Sequence, residues 1–173
     1  MIVRPERDDD RPAISAVVES AFGKPAEAVL VQRLWASPNY RPGLSLVAVD
    51  GDEIVGHVMV TTAWLEDGDW RQDIASLAPL AVAPSRQRGG VGTALLHAVL
   101  AVCDERGEPF VVLQGNPRYY ERVGFEPAAR YGVTMDLPDW ASQEAAQLRR
   151  LSAYDPSIRG RVVYPDAFDD LPE

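Results

Sequence analysis

The stretch "SLAPLAVAPSRQRGGVGTALLHAVLAVC", residues 76–103, limits the fold more tightly than any other part of the chain. An apolar run stops at Pro84-Ser85, passes through Gly89 and Gly90, and gives way to Gly92, Leu95, Leu96, Val99, Leu100 and Cys103. Those positions repeat at i, i+3, i+4, i+7, i+8 and i+11, the spacing of one apolar stripe on a helix. The segment therefore predicts a strand, a glycine-rich turn and a helix from about Gly90 to Arg106. "PFVVLQ", residues 109–114, then predicts another strand. A strand reached through a crossover helix runs parallel to the one before it. The stripe needs a sheet to cover, and Cys103 on it reads as a small buried apolar residue, not a nucleophile.

Upstream, "MIVRPE" predicts a first strand, and "DDDRPAISAVVESAF" a helix with N-cap candidates at Asp8, Asp9 and Asp10. "PAEAVLVQRLWAS" predicts a second helix with Pro25 in its first turn. "LSLVAVDGDEIVGHVMVTT" holds two β-branched runs around Asp50-Gly51, a dipeptide that favours a tight hairpin. A longer loop is expected around Glu66 to Asp69. Downstream, "NPRYYERV" predicts a short helix, "GFEPA", "YGVTMDL" and "IRGRVVY" strands, while "SQEAAQLRRL" fits helix or strand equally. The expected fold is α/β: a mixed, mainly antiparallel sheet with a parallel pair in its second half and helices on both faces. At 173 residues, with no repeat, linker or low-complexity segment, one domain covering 1–173 is expected.

Composition removes several classes of function. Seventeen Lys and Arg against twenty-six Asp and Glu give a net charge of −9. Phosphate backbones need a basic face, so no nucleic-acid partner is expected. No apolar run approaches the ~18 residues of a membrane span, so no membrane partner is expected either. The N-terminus lacks the layout of a signal peptide, and one cysteine cannot form an internal disulfide. A cytoplasmic location is the expectation, and no metal is expected at the site.

The glycine turn is where chemistry enters. The leading N–H groups of a helix have no partner inside it, and the helix dipole places partial positive charge there. Without side chains at Gly90 and Gly92, a bulky anion reaches those amides closely. Arg86 and Arg88 are placed to add contacts to peripheral phosphates. A P-loop is excluded because its lysine and hydroxyl are missing, and the dinucleotide pattern G-x-G-x-x-G is absent. What stands is Gln87-Arg88-Gly89-Gly90-Val91-Gly92, or Q-x-x-G-x-G. The plain alternative is that these glycines only shape a turn.

"LAVAPSRQRGGVG", residues 80–92, resembles the acetyl-coenzyme A site of the GCN5-related N-acetyltransferases (GNAT), where [QR]-x-x-G-x-[GA] follows a strand and opens a helix. "RYYERVGFEP", residues 118–127, resembles the family's Y-x-x-x-G-F segment. Together they are most similar to a bacterial subgroup of predicted N-acetyltransferases. The resemblance implies transfer of an acetyl group from acetyl-CoA, as co-substrate, to a primary amine by direct attack. It places the pyrophosphate on the backbone of Gln87, Arg88, Gly89, Gly90, Val91 and Gly92, with the Thr93 hydroxyl able to help. It also places the pantetheine arm along Leu80 and Val82, with the Leu80 N–H near the thioester oxygen. Pro79, which has no N–H to give a ladder, predicts lost pairing nearby.

Tyr120 matches the tyrosine that in relatives protonates the departing thiol, and it is the catalytic candidate. A phenol of pKa ~10 can donate to a nascent thiolate of pKa ~8.5–10. Tyr119 lies roughly 100° further round a helix and cannot share that role. Asn116 departs from the family's spacing and reads as an N-cap with Pro117 at the first helical position. Glu53, His57, Asp69 and Asp73 are the candidate bases, but no motif selects one, and His57 reads as structural. Segments 38–43, 64–71 and 131–153, with Trp64, Trp70 and Trp140, are the candidate acceptor surfaces. The negative charge suits polyamines, aminoglycosides, lysine side chains or peptide N-termini alike. Relatives commonly form homodimers. A second reading, an acyl-CoA-binding sensor without turnover, stays open beside the enzyme.

Overall fold

In the computed structural model, which describes residues 1–173, the chain folds into two compact units. One comprises Met1–Thr61, Leu77–Val102 and Asp166–Glu173, and the other Thr62–Ser76 and Cys103–Pro165.

The first unit is built on an antiparallel meander. β1 (Ile2–Pro5) pairs with β2 (Ser45–Asp50), and β2 with β3 (Glu53–Asp67). The β2–β3 hairpin closes with Asp50 opposite Glu53 across Gly51, whose φ is +64°. A positive φ is what a tight hairpin demands and glycine supplies cheaply. α1 (Arg11–Phe22) and α2 (Ala26–Trp35) cover one face of this sheet. Ile14 and Val18 of α1, and Leu30, Val31 and Leu34 of α2, form one buried cluster with Val47 and Met59 of the strands. α1 ends at Gly23, in the left-handed conformation. Asp10 occupies the N-cap position of α1 without capping it. Its carboxylate instead accepts from Arg4 at 2.7 Å and from the Arg7 N–H at 2.7 Å, tying β1 to the helix entry.

The opposite face is covered by α3 (Val91–Glu105), the helix predicted from the apolar stripe. Leu95, Leu96, Val99, Leu100 and Cys103 are all buried. Close approach to β3 depends on Gly56, where a Cβ would sit 2.9 Å from both Val91 Cγ1 and Leu95 Cδ1. Helices thus lie on both faces, as expected.

In the second unit the first half of β4 (Trp70–Val82) pairs in parallel with β5 (Phe110–Gln114), Ala75 opposite Val111 and Ser76 opposite Val112. This is the predicted parallel pair. β5 also pairs antiparallel with β8 (Ala146–Arg150), and β8 with β6 (Glu126–Pro127). β9 (Gly160–Val163) runs antiparallel to the end of β3 and parallel to β7 (Val133–Thr134). Phe110, Val112, Leu148, Ile74, Leu65 and Val133 lie in one buried cluster. Between β5 and β6 stands α4 (Pro117–Tyr120), a single turn.

Two expectations change. The segment that fitted helix or strand is a strand, β8, preceded by one 3-10 turn over Gln143–Ala145. Pairing along the whole of β5 outweighs the helix preference of Ala, Gln, Leu and Arg. The longer loop expected at Glu66 to Asp69 is a tight turn instead, with Gly68 at φ +61° and Glu66 and Asp67 inside β3. Asp67-Gly68 is itself a hairpin dipeptide.

Candidate active site

β4 leads through a 3-10 turn at Pro84–Arg86 to Gln87, extended at φ −65° and ψ 151°. Arg88 then takes φ +66° and Gly90 φ +87°. A left-handed arginine is uncommon and costs on the order of 1 kcal/mol, so the backbone here is shaped against local preference. The Ala94 N–H bonds to the Gly90 carbonyl at 3.0 Å, setting the start of α3. The N–H groups of Val91, Gly92 and Thr93 therefore precede the first intrahelical donor. A Cβ built on Gly90 would meet nothing within 4 Å, so the space beside Gly90, just ahead of the helix, is open. No acidic side chain lies in the first turn of α3 to neutralise it. Gln87, Arg88, Gly89 and Gly90 are exposed, Val91 and Gly92 are buried, and Thr93 is half-buried.

Side chains pin this turn without using its helix amides. Gln87 Nε2 donates to the Val82 carbonyl at 3.2 Å. Arg86 pairs with Asp50 of the β2–β3 hairpin through a short contact. The guanidinium holds the Asp50 carboxyl below the usual range, and the carboxylate raises Arg86 in return. Arg86, read as a phosphate contact, thus already has an anionic partner. The sequence marks Asp50 only as a hairpin residue, not as the partner of Arg86. No local spacing links positions 50 and 86; only the fold does.

Leu80 and Val82 lie half-buried on β4, and the Ala83 N–H bonds to the Val55 carbonyl at 2.9 Å. The β4–β5 register ends at Ser76, ahead of Pro79, as a residue without an N–H predicts. The Ala78–Pro79 peptide bond is cis.

Tyr120 belongs to the second unit. Asn116 caps its helix, accepting from the Arg118 N–H at 3.0 Å with Pro117 in the first turn, as the sequence predicts. The Tyr120 ring packs edge-on to Phe125 at 5.6 Å and to Tyr119 at 4.9 Å. Burial, with a smaller contribution from Tyr119, pushes the Tyr120 phenol well above its ordinary value. It is fully protonated at neutral pH. Tyr119 is turned toward Arg122, whose guanidinium lies 4.9 Å from its ring centre.

Glu53, Asp69 and Asp73 are exposed. His57 is fully buried, its Nε2 2.9 Å from Ser45 Oγ and its Nδ1 without a partner. Burial lowers its pKa to about 3, so it is neutral. No solute reaches it, which makes it structural. Trp64 is half-buried beneath Arg71, whose guanidinium lies 4.1 Å from the ring centre, while Trp70 and Trp140 are exposed. No cluster of His, Cys, Asp and Glu is arranged to hold a metal ion, and no helix is long and apolar enough to cross a membrane.

Two glycines carry more of this geometry than their sequence positions announced. Gly56 stands alone in a β-branched run, a pattern that marks close approach of another backbone. Gly115 sits just after β5, and a Cβ there would fall 2.5 Å from Tyr120 Cε2.

A profile of the acetyltransferase (GNAT) domain matches residues 2–128. The uncharacterized N-acetyltransferase YjhQ of Escherichia coli K12 is 38% identical over 160 residues, 91% of this chain and 88% of its own length. The crystal structure of the GNAT family N-acetyltransferase YhbS from Escherichia coli, in complex with CoA, superposes with a TM-score of 0.85 at 30% identity, covering 99% of this chain and 93% of that one. A GNAT family acetyltransferase from Brucella melitensis, in complex with acetyl-CoA, gives a TM-score of 0.78 at 28% identity over 97% of each chain. With the glycine turn, the helix it opens and the tyrosine segment in place, this chain belongs to the GNAT family: it is an N-acetyltransferase, of a family that uses acetyl-CoA as co-substrate.

Proposed function

We propose that the enzyme moves the acetyl group of acetyl-CoA to a primary amine by direct attack, with the diphosphate held at residues 87–93 and Tyr120 as the acid. The observation that carries this reading is the open, glycine-lined start of α3, held close to the sheet by Gly56. Its amides suit a diphosphate, and the relatives crystallised with CoA and acetyl-CoA share the fold around it.

Acetyl-CoA supplies an activated thioester. The amine nitrogen forms the new C–N bond and the C–S bond breaks, leaving an electron pair on sulfur. Tyr120, protonated in the resting enzyme, gives its proton to that sulfur, and the nitrogen's proton passes to water, from which the phenol is restored. Its raised pKa keeps the phenol protonated until a thiolate forms to receive the proton. The Leu80 N–H, on β4, is the donor assigned to the carbonyl oxygen as charge develops there.

The test is release of CoA from acetyl-CoA by the purified protein across a panel of primary amines, with the acetylated product identified by mass. Turnover with at least one amine is the expected result. Tight CoA binding with no thiol release across the whole panel would establish the sensor reading instead. Failure of millimolar CoA to raise the melting temperature would remove the site itself.

A further inference from the structure

We infer that Gln114 positions the acceptor amine: two bonds within the second unit hold its side chain so that its amide oxygen faces outward as a hydrogen-bond acceptor for an N–H group. This rests on the proposed amine acetylation and adds an acceptor-side residue to it.

Gln114 is the last residue of β5, next to Gly115, against which the Tyr120 ring lies. Its Nε2 donates to the Asp136 carbonyl at 3.1 Å and to the Tyr164 hydroxyl at 3.3 Å. The Asp136 carbonyl can only accept, so it fixes which end of the amide is nitrogen. The Tyr164 hydroxyl accepts from Gln114 and spends its own proton on Met135 Sδ at 3.5 Å. Burial raises its pKa to about 12, so it keeps that proton. Both hydrogens of the Gln114 amide are thereby used. No protein donor reaches its Oε1, although the residue is exposed. The capacity it offers a solute is that of an acceptor, and its complement is a donor such as an amine.

Its place on the strand fits that task. Leu113 and Gly115 point to the face that carries the Tyr120 ring. Gln114 points to the other, where Phe110, Val112 and Met135 are buried with Tyr164 packed against them. Attacking nitrogen and departing sulfur occupy different corners of the same tetrahedral carbon. A group that orients the nucleophile is therefore distinct from the acid serving the leaving group, and Gln114 adjoins Gly115, against which the ring of that acid packs. A neutral amine donating one N–H to Oε1 keeps its lone pair free to attack. Asp136 and Tyr164 position Gln114 and do not themselves meet the amine.

The test combines Gln114→Met, which keeps length and loses the amide, with Tyr164→Phe, which removes one anchor only. Binding of n-butylamine, putrescine and Nα-acetyl-lysine amide to the CoA-saturated protein is measured by calorimetry, alongside amine and acetyl-CoA KM values. Gln114→Met should weaken amine binding at least tenfold and leave acetyl-CoA KM within twofold. Tyr164→Phe should weaken amine binding less than Gln114→Met. Unchanged amine affinity in Gln114→Met, equal loss for both substrates, or no binding of any of the three amines to wild-type protein overturns the assignment. Absence of CoA release by the wild-type enzyme sinks the proposed function instead, and the binding arm does not depend on it.

Discussion

The ring of Tyr120 fills the space that a side chain at residue 115 would need: a Cβ on Gly115 would come within 2.5 Å of Tyr120 Cε2 and 3.1 Å of Cδ2. The glycine lets the edge of the ring lie against the end of β5. Gly115→Ala should displace the ring and lower kcat roughly tenfold. Tyr120→Phe, which keeps the ring and removes the proton, should lower kcat by about 10²-fold, within the range of general-acid contributions. Acetyl-CoA affinity should stay within twofold in Tyr120→Phe. Steady-state kinetics with calorimetry checks both, and equal losses in kcat and affinity would contradict the acid role.

Gly56 sets the distance between β3 and the start of α3. A methyl group there meets two side-chain ends at 2.9 Å and the Ala81 carbonyl at 3.2 Å. Gly56→Ala should cost about 1–3 kcal/mol through overpacking. It should also shrink the rise in melting temperature that millimolar CoA produces, because the helix amides move. A melt with and without CoA separates the two effects.

Asp50 holds Arg86 beside the turn and carries negative charge toward it. Asp50→Asn removes that charge and frees the guanidinium. CoA should bind a few-fold more tightly at low ionic strength, and the gain should fade as salt shortens the Debye length. Titrations at low and high salt decide. Weaker binding at every salt concentration would mean that the pair matters by bracing the turn.

His57 makes the fold acid-sensitive in a definite window. The unfolded chain takes a proton at this residue near pH 6.5, while burial keeps the folded chain from doing so until about pH 3. The unfolded state therefore binds more protons between those values. Stability from this residue is fully present above pH 6.5 and drains away as pH falls, by up to ~1.4 kcal/mol per unit. Denaturant melts from pH 7 to pH 4 should show this slope, and His57→Gln should flatten it. Asp10, whose carboxyl Arg4 holds below its usual range, loses its contribution at lower pH, below the unfolded carboxylate value.

The parts of the fold legible in the sequence are those where one local pattern suffices. The β2–β3 hairpin followed from Asp50-Gly51, the α4 cap from Asn116-Pro117, and α3 from its stripe of Leu95, Leu96, Val99 and Leu100. β8 was not legible, because Ala146, Gln147 and Leu148 suit a helix until β5 lies beside them. The glycine turn was visible as a motif, yet the pairing of its Arg86 with Asp50 was not. Gln114 gave no signal at all, since its importance arises from Asp136 and Tyr164, tens of residues away in sequence.

Cys103, the one cysteine, is sealed beneath the apolar stripe of α3 with none of its surface exposed. A disulfide reagent added to the folded enzyme therefore meets no protein thiol. Colour that develops in a turnover assay reports liberated coenzyme alone, and a slow extra equivalent appearing on heating or in denaturant marks the moment the helix lifts away.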